Sequence, residues 1–314
     1  MRFRSWFTLS VFAWCAYAPF AQADSFNFQS IPILGAAGLN NADQISGWSG
    51  GGQGTQGAFY DGTRTTTFTV PGSLNTTRAG GLNNLGQIVG FYNAPDGQHG
   101  FLYTGGSFTS SSSYQNIDIP GQITHPQAIN DFGWIVGTAT GRTGSQGFLY
   151  DTTGFRMFDV PGWQNITPMS INNSGEVAGY YVDISLDATR GFLYKDGVFT
   201  TFMVPGSQST YLTGINNLSD LVGSYNGSSF GDQGFIYRNG SFVTIDNSPT
   251  LTGSFLPGSI NDSGHLVGTN INTVYLATPT PTSIPEPGPM LLVGFGLACL
   301  AMAMSGKRNL LRKK

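Results

Sequence analysis

Six copies of one phrase, spaced almost evenly, constrain this chain more than any other feature. Each copy reads small residue, Leu or Ile, Asn, then Asn or Asp, followed by a turn residue that is usually Gly and an apolar run closed by Gly. Gly81-Leu82-Asn83-Asn84-Leu85-Gly86-Gln87-Ile88-Val89-Gly90 is one example. With the first Asn as marker, the copies stand at Asn40, Asn83, Asn130, Asn172, Asn216 and Asn261, at intervals of 43, 47, 42, 44 and 45 residues. A second phrase follows the first five markers, as in Gly100-Phe101-Leu102-Tyr103, and a third closes most units, as in Phe158-Asp159-Val160-Pro161-Gly162. Such a period marks a repeat architecture whose units cannot bury their apolar faces alone.

Each unit reads as four short strands, a to d. In the fifth copy they fall at Tyr211 to Asn216, Leu221 to Tyr225, Gly234 to Tyr237 and Phe242 to Ile245, between glycine- and asparagine-rich turns. Strands b and c are nearly continuous apolar runs, which suits sheets covered on both faces. Four-stranded units of ~40–50 residues, repeated four to eight times, specify a β-propeller. The last unit has strands a, b and c but no d, while Phe26-Asn27-Phe28-Gln29-Ser30-Ile31-Pro32 near the N-terminus is an orphan in the style of strand d. Placing the orphan beside the last unit closes a ring and removes the exposed edge; an open solenoid is the structural alternative. The expected fold is all-β: a six-bladed β-propeller over residues 24–277 closed by an N-terminal strand, flanked by an N-terminal signal helix and a C-terminal transmembrane helix.

The Asn pair has a local explanation. Asn followed by Asn or Asp, a spacer and Gly is a tight-turn composition, in which the Asx side chain bonds nearby backbone and Gly supplies a positive φ. Asp43 and Ser219 replace that Gly in two copies, where a more strained or differently shaped turn is expected.

Charge narrows the function classes. Charged residues make up 10% of the chain, against about 25% in ordinary soluble proteins. Between Asp24 and Ile284 there are 7 Arg or Lys against 16 Asp or Glu, a net charge of −9. A body without a basic patch cannot neutralise phosphates, which argues against nucleic acid and against an anionic membrane surface as partners.

The ends set the compartment. Residues 1–23 have Arg2 and Arg4, an apolar stretch from Trp6 to Ala18, and Ala21-Gln22-Ala23 as a small-x-small cleavage site, the three parts of a secretory signal. Both cysteines, Cys15 and Cys299, lie outside the body, so the exported domain holds no disulfide and depends on its own core. Residues 278–284 form a Thr/Pro-rich linker, and residues 285–314 carry Pro285-Glu286-Pro287, an apolar run from Met290 to Met304 and a basic end at Lys307-Arg308 and Arg312-Lys313-Lys314. Positive charge after an apolar segment keeps that side in the cytoplasm, so the body is expected outside the inner membrane.

In its triplet, single apolar segment and basic terminus, this tail resembles the PEP-CTERM sorting signal of exosortase substrates in Gram-negative bacteria that make exopolysaccharide. The resemblance implies recognition by an exosortase-type membrane processing enzyme, cleavage near Pro285-Glu286-Pro287, and delivery to the cell surface or beyond. The repeated phrases resemble the HAF-type extracellular repeats of exported bacterial proteins.

Candidate sites are few. Asp118, Asp159 and Asp246 end strand d in three copies, where Ser30, Thr69 and Met203 stand in the others; carboxylates bonding turn amides explain them more simply than a metal ring around a channel. His99, His125 and His265 belong to different turns, and no metal-ligand spacing or catalytic set recurs, so no catalytic residue, metal or cofactor is expected. The b to c connections, near 49–56, 93–99, 138–146, 182–190 and 226–233, vary most and share one face with the d to a crossings, which makes them the place for a ligand. Trp163, Arg142, Arg190 and His99 are the candidate binding residues there, an aromatic face for a sugar ring with polar groups for its hydroxyls. A Trp folded against its own blade is the alternative, and Trp134 and Trp48 are assigned to packing. The functional expectation is an extracellular-matrix or biofilm protein that binds carbohydrate, exopolysaccharide in particular, or a partner; the other class is a secreted polysaccharide lyase or hydrolase on the same scaffold.

Overall fold

A computed structural model describes residues 25–280, apart from 52, 53, 143, 159, 228–230, 246–250 and 252. The first strand, β1 (Phe26–Ile31), belongs to the last sheet. Blade 1 is β2 (Gly35–Leu39), β3 (Ile45–Gly51), β4 (Gly54–Tyr60) and β5 (Thr65–Phe68). Blade 2 is β6 (Thr77–Leu82), β7 (Ile88–Ala94), β8 (Gly97–Tyr103) and β9 (Tyr114–Asn116). Blade 3 is β10 (Ile123–Ile129), β11 (Ile135–Gly141), β12 (Gly144–Asp151) and β13 (Gly154–Met157). Blade 4 is β14 (Trp163–Ile171), β15 (Val177–Asp183), β16 (Ala188–Lys195) and β17 (Val198–Phe202). Blade 5 is β18 (Ser207–Ile215), β19 (Leu221–Gly227), β20 (Gly231–Arg238) and β21 (Ser241–Thr244). Blade 6 is β22 (Leu256–Ile260), β23 (Leu266–Asn270) and β24 (Thr273–Pro279), completed by β1.

Every sheet is an antiparallel meander, and β1 pairs with β24 from Phe26↔Pro279 to Ile31↔Val274. Phe28 packs edge-on against Tyr275 at 6.1 Å and Phe255 at 5.1 Å, so the orphan strand is welded into the final blade by aromatic contacts as well as by its ladder. The first strand of each blade touches the first strands of both neighbouring blades, which places these six strands around the axis. The expected six-bladed ring with its N-terminal closure is therefore the fold of the body. The expected signal helix and transmembrane helix fall on residues 1–24 and 281–314, outside the described residues. Among the described residues no helix is long and apolar enough to cross a membrane.

The core lies between blades. Phe101, Phe148, Phe192 and Phe235, the aromatic residues of the Gly-Phe phrase, are fully buried. The Gly that ends the first phrase has a steric cause. A bulge in each inner strand, such as that between Pro126 and Ala128, brings a carbonyl against the next strand. A Cβ on Gly137 would lie 2.1 Å from His125 O, and one on Gly90 2.1 Å from Arg78 O, so only glycine fits.

The sequence reading is corrected at the b to c connections. Strands b and c run on almost to their turn, leaving Pro95-Asp96 between β7 and β8 and residues 184–187 between β15 and β16. These segments were expected as connections because they vary most from copy to copy, but in the fold most of their residues extend strands b and c. One face of the ring carries these hairpins and the d to a crossings, the hairpin face; the other carries the a to b and c to d turns, the Asn face.

Candidate functional site

The Asn face is built from two closed rings of hydrogen bonds. In the inner ring, the Oδ1 of each first Asn accepts the amides two and four residues on, as Asn130 does from Phe132 at 3.1 Å and Trp134 at 2.9 Å. That is the turn chemistry read from the sequence. The same side chain also reaches across the blade boundary. Nδ2 of Asn40 donates to Asn83 O, Asn83 to Asn130 O, Asn130 to Asn172 O, Asn172 to Asn216 O, Asn216 to Asn261 O, and Asn261 back to Asn40 O, at 3.0–3.3 Å. All six side chains are 3–4% exposed, so each bond works where an unpaired amide would be costly.

The outer ring uses the second residue of the pair. The backbone N–H of Asn41 donates to Asn84 Oδ1, and the pattern continues through Asp131, Asn173, Asn217 and Asp262 back to Asn41, at 2.8–3.0 Å. Its four carboxamides leave Nδ2 donors that would face one another in a ring of Asn alone. Carboxylates at every third place remove the conflict: Asp131 Oδ2 accepts from Asn84 and Asn173 at 2.9 and 2.8 Å, and Asp262 Oδ2 from Asn41 and Asn217 at 2.7 and 2.9 Å. Burial raises the Asp131 carboxyl, but the donors from Asn173 and Asn84 outweigh it and hold it below the usual range. The two rings and the leucines and isoleucines behind them line an axial cavity of about 60 Å³, well under the ~300 Å³ at which small-molecule sites begin.

The turns at Asp43 and Ser219 take the same shape as their glycine counterparts, with φ of 57° and 62° against 75° at Gly86. Both side chains bond the adjacent blade. Asp43 Oδ1 accepts from Asn261 Nδ2 at 2.9 Å and pairs with His265 Nδ1 at 2.8 Å, and Ser219 Oγ donates to Glu176 Oε2 at 2.6 Å. Glu176 is 2% exposed; burial raises its carboxyl, and Lys195, Ser219 and Asn172 together pull it below the ordinary value.

On the hairpin face the four predicted binding residues are spread over three blades. His99 is on β8, not in a loop, between Asp118 Oδ2 at 2.8 Å and Asp96 Oδ1 at 3.1 Å. Asp118 raises the imidazole most, burial opposes and Asp96 assists, so His99 is held above the ordinary imidazole value with both nitrogens engaged. Asp118 follows β9, an outermost strand, and its Oδ1 accepts the Gly100 amide at 3.0 Å; it bonds across strands and does not line a channel. Asp159 and Asp246 lie outside the described residues. Arg190 on β16 occupies the position equivalent to His99, with Nη1 2.6 Å from Met203 Sδ. Trp163 opens β14 and lies flat on Tyr181 of its own blade, with ring centroids 3.5 Å apart and planes 6° apart, as in the packing alternative. Arg142 is exposed at the β11–β12 turn. Trp163 and Arg190 therefore share blade 4, while His99 and Arg142 stand on blades 2 and 3. Trp134 packs over Gly175 of the next blade, a packing role as expected. Among the described residues no three His, Cys, Asp or Glu side chains could hold a metal.

The sequence matches no protein family and no curated protein. In fold the chain is similar to the SapL1 lectin in complex with alpha methyl fucoside, at 12% identity and a TM-score of 0.50 over 82% of this chain and 98% of that one. It is also similar to a gluconolactonase from Xanthomonas campestris, at 10% identity and 0.49 over 81% and 90%, and to virginiamycin B lyase from Staphylococcus aureus, at 11% and 0.47 over 81% and 99%. At 12% identity the likeness to the lectin is one of fold alone.

Proposed function

We propose that this chain is an exported cell-envelope or extracellular-matrix protein. A secretory signal over residues 1–23 carries it out, a PEP-CTERM-type tail over residues 285–314 presents it to an exosortase-type membrane enzyme, and its propeller, of HAF-type repeats, binds exopolysaccharide or a partner without catalysing a reaction. One observation carries the reading. Six four-stranded sheets close within residues 26–279, with β1 supplying the last strand, so the ring needs neither end segment and both are free to serve as addresses.

The hairpin face supports the binding half, because its residues differ from blade to blade on a rigid frame, as loops that carry function do. A lyase or hydrolase would run through His99 and Asp118, the one convergence of sequence-flagged acids and histidines on that face among the described residues. A general base needs a free lone pair near neutral pH, and His99 has both ring nitrogens against carboxylates. Deleting residues 285–314 and following the protein in a Gram-negative host with the processing enzyme tests the sorting half. Loss of the processed form and of surface delivery is expected; unchanged delivery defeats it.

A further inference from the structure

On the hairpin face, the inner parts of blades 1 to 3 carry rings and a cation in succession. Trp48 on β3 is seated over Gly35, where even a Cβ would fall 2.1 Å from the indole. Arg78 on β6, the inner strand of the next blade, holds its guanidinium 5.2 Å from the Trp48 ring. Phe91 is the register partner of Arg78 across the β6–β7 ladder, and its ring stacks on His125 of blade 3 at 4.3 Å and 25°. Indole, guanidinium, phenyl and imidazole thus form one wall beside the axis.

Two observations separate this wall from ordinary packing. Arg78 is exposed, and Trp48, Phe91 and His125 are only half-buried. Arg78 also has no hydrogen bond or ion pair with any described residue, in a body that carries 16 acidic residues against 7 basic ones. The repeat does not fix these side chains: the position of Phe91 holds Trp48 in blade 1 and Tyr180 in blade 4, but Thr138, Ser224 and Thr269 in blades 3, 5 and 6.

We propose that this wall binds a saccharide residue that carries a carboxylate, a uronate-type sugar. Arg78 takes the carboxylate through its planar fork, and the half-buried rings of Trp48 and Phe91 offer apolar contact to the sugar beside it. In an acidic body, an exposed guanidinium without an ion-pair partner attracts an anionic sugar where most of the surface repels it. The inference rests on the reading of the hairpin face as a polysaccharide-binding surface, and adds to it the site and the charge of the ligand.

Titration calorimetry on the intact chain with tetragalacturonate and with neutral cellotetraose tests the site. Tetragalacturonate should bind at least about tenfold more tightly than cellotetraose, and Arg78→Gln should remove that advantage. Arg64→Gln, in the β4–β5 turn on the Asn face, should leave it, and the thermal midpoint of Arg78→Gln should stay native because the side chain is exposed. Equal affinity for the two sugars, no binding of tetragalacturonate, or unchanged affinity in Arg78→Gln would overturn the site. Co-sedimentation with an acidic exopolysaccharide separates the two levels: native and Arg78→Gln proteins pelleting alike removes the site and keeps the reading, whereas no pelleting with any polysaccharide removes the reading as well.

Discussion

The two ends of this propeller are made from the same repeat and behave oppositely. On the Asn face every blade contributes an Asn followed by Asn or Asp, and each first Asn joins its turn to the neighbouring blade. On the hairpin face the position before the Gly-Phe or Gly-Ala phrase is Gln56, His99, Gln146, Arg190 and Gln233 in turn. The difference is one of partners. Where a side chain must fit a carbonyl of the next blade, one residue type solves the problem six times; at the strand ends of the hairpin face the copies are freer, and two of the five depart from Gln. Repetition along this chain therefore maps interlocking, and its failure maps the surface free to take on a ligand.

The contrast is broken most directly by exchanging one side chain at each end. Asn130→Ala deletes two turn bonds and the bond to Asn172 O from a buried site, which should cost about 3 kcal/mol. Arg142→Ala on the hairpin face should stay within about 0.5 kcal/mol. By calorimetry, the first should lower the thermal midpoint by several degrees and the second by about one degree or less. A smaller loss for Asn130→Ala than for Arg142→Ala would mean the inner ring contributes nothing to stability.

Much of the frame was legible in the sequence, and for a definite reason. The period, the strand missing after Ala277 and the orphan at Phe26 are one-dimensional facts, and ring closure follows from counting them. The turn role of Asn130 was legible because its partners lie two and four residues away. Its bond to Asn172 O was not, since a residue pattern does not say which carbonyl faces it across a blade boundary. For the same reason the pattern says nothing of why Asp stands in two copies, where Asp131 and Asp262 are the acceptors that keep four Nδ2 groups from facing one another. The Gly at position 137 closes the phrase, and its cause is visible only in the fold, where a Cβ would meet the His125 carbonyl of the adjacent bulged strand. Trp163 was flagged as a sugar platform because it departs from the repeat; in the fold that departure fills a place against Tyr181. Arg78 and Phe91 belong to no phrase, and register alone makes them neighbours.

Proton linkage sharpens the comparison, because the two faces should respond with opposite sign. Asp131 has its carboxyl held low, so its contribution is present above the usual carboxylate value of ~4 and is lost as pH falls through the folded value. His99 has its imidazole raised, so its contribution is present below the unfolded value of ~6.5 and is lost as pH rises through the folded one. Asp131→Asn should destabilise by about 1–2 kcal/mol at neutral pH, since it returns the Asn84 and Asn173 donors to a carboxamide. That deficit should shrink on acidification, whereas the smaller deficit of His99→Gln should shrink on making the solution alkaline. Thermal midpoints of the two variants and the native chain from pH 3 to pH 9 check both slopes, and parallel slopes would refute the assignment.

The smallest effects come from the two turns that lack glycine, and they test whether strain on the Asn face is offset by bonds between blades. A non-glycine residue in the left-handed region costs roughly 1–2 kcal/mol, which Asp43 and Ser219 bear at φ of 57° and 62°. Glycine at either place relieves that cost and removes the side chain's bond. Ser219→Gly loses one hydroxyl bond to Glu176, which keeps Lys195 and Asn172, so gain and loss should cancel to within about 1 kcal/mol. Asp43→Gly loses the acceptor for Asn261 and the partner of His265 at the seam where the ring closes, and should be the less stable of the two by about 1 kcal/mol. Urea unfolding of both variants decides it. If both glycines stabilised the protein by the full cost of the strained turn, the side-chain bonds at these positions would contribute nothing, and the rings would owe their strength to the asparagines alone.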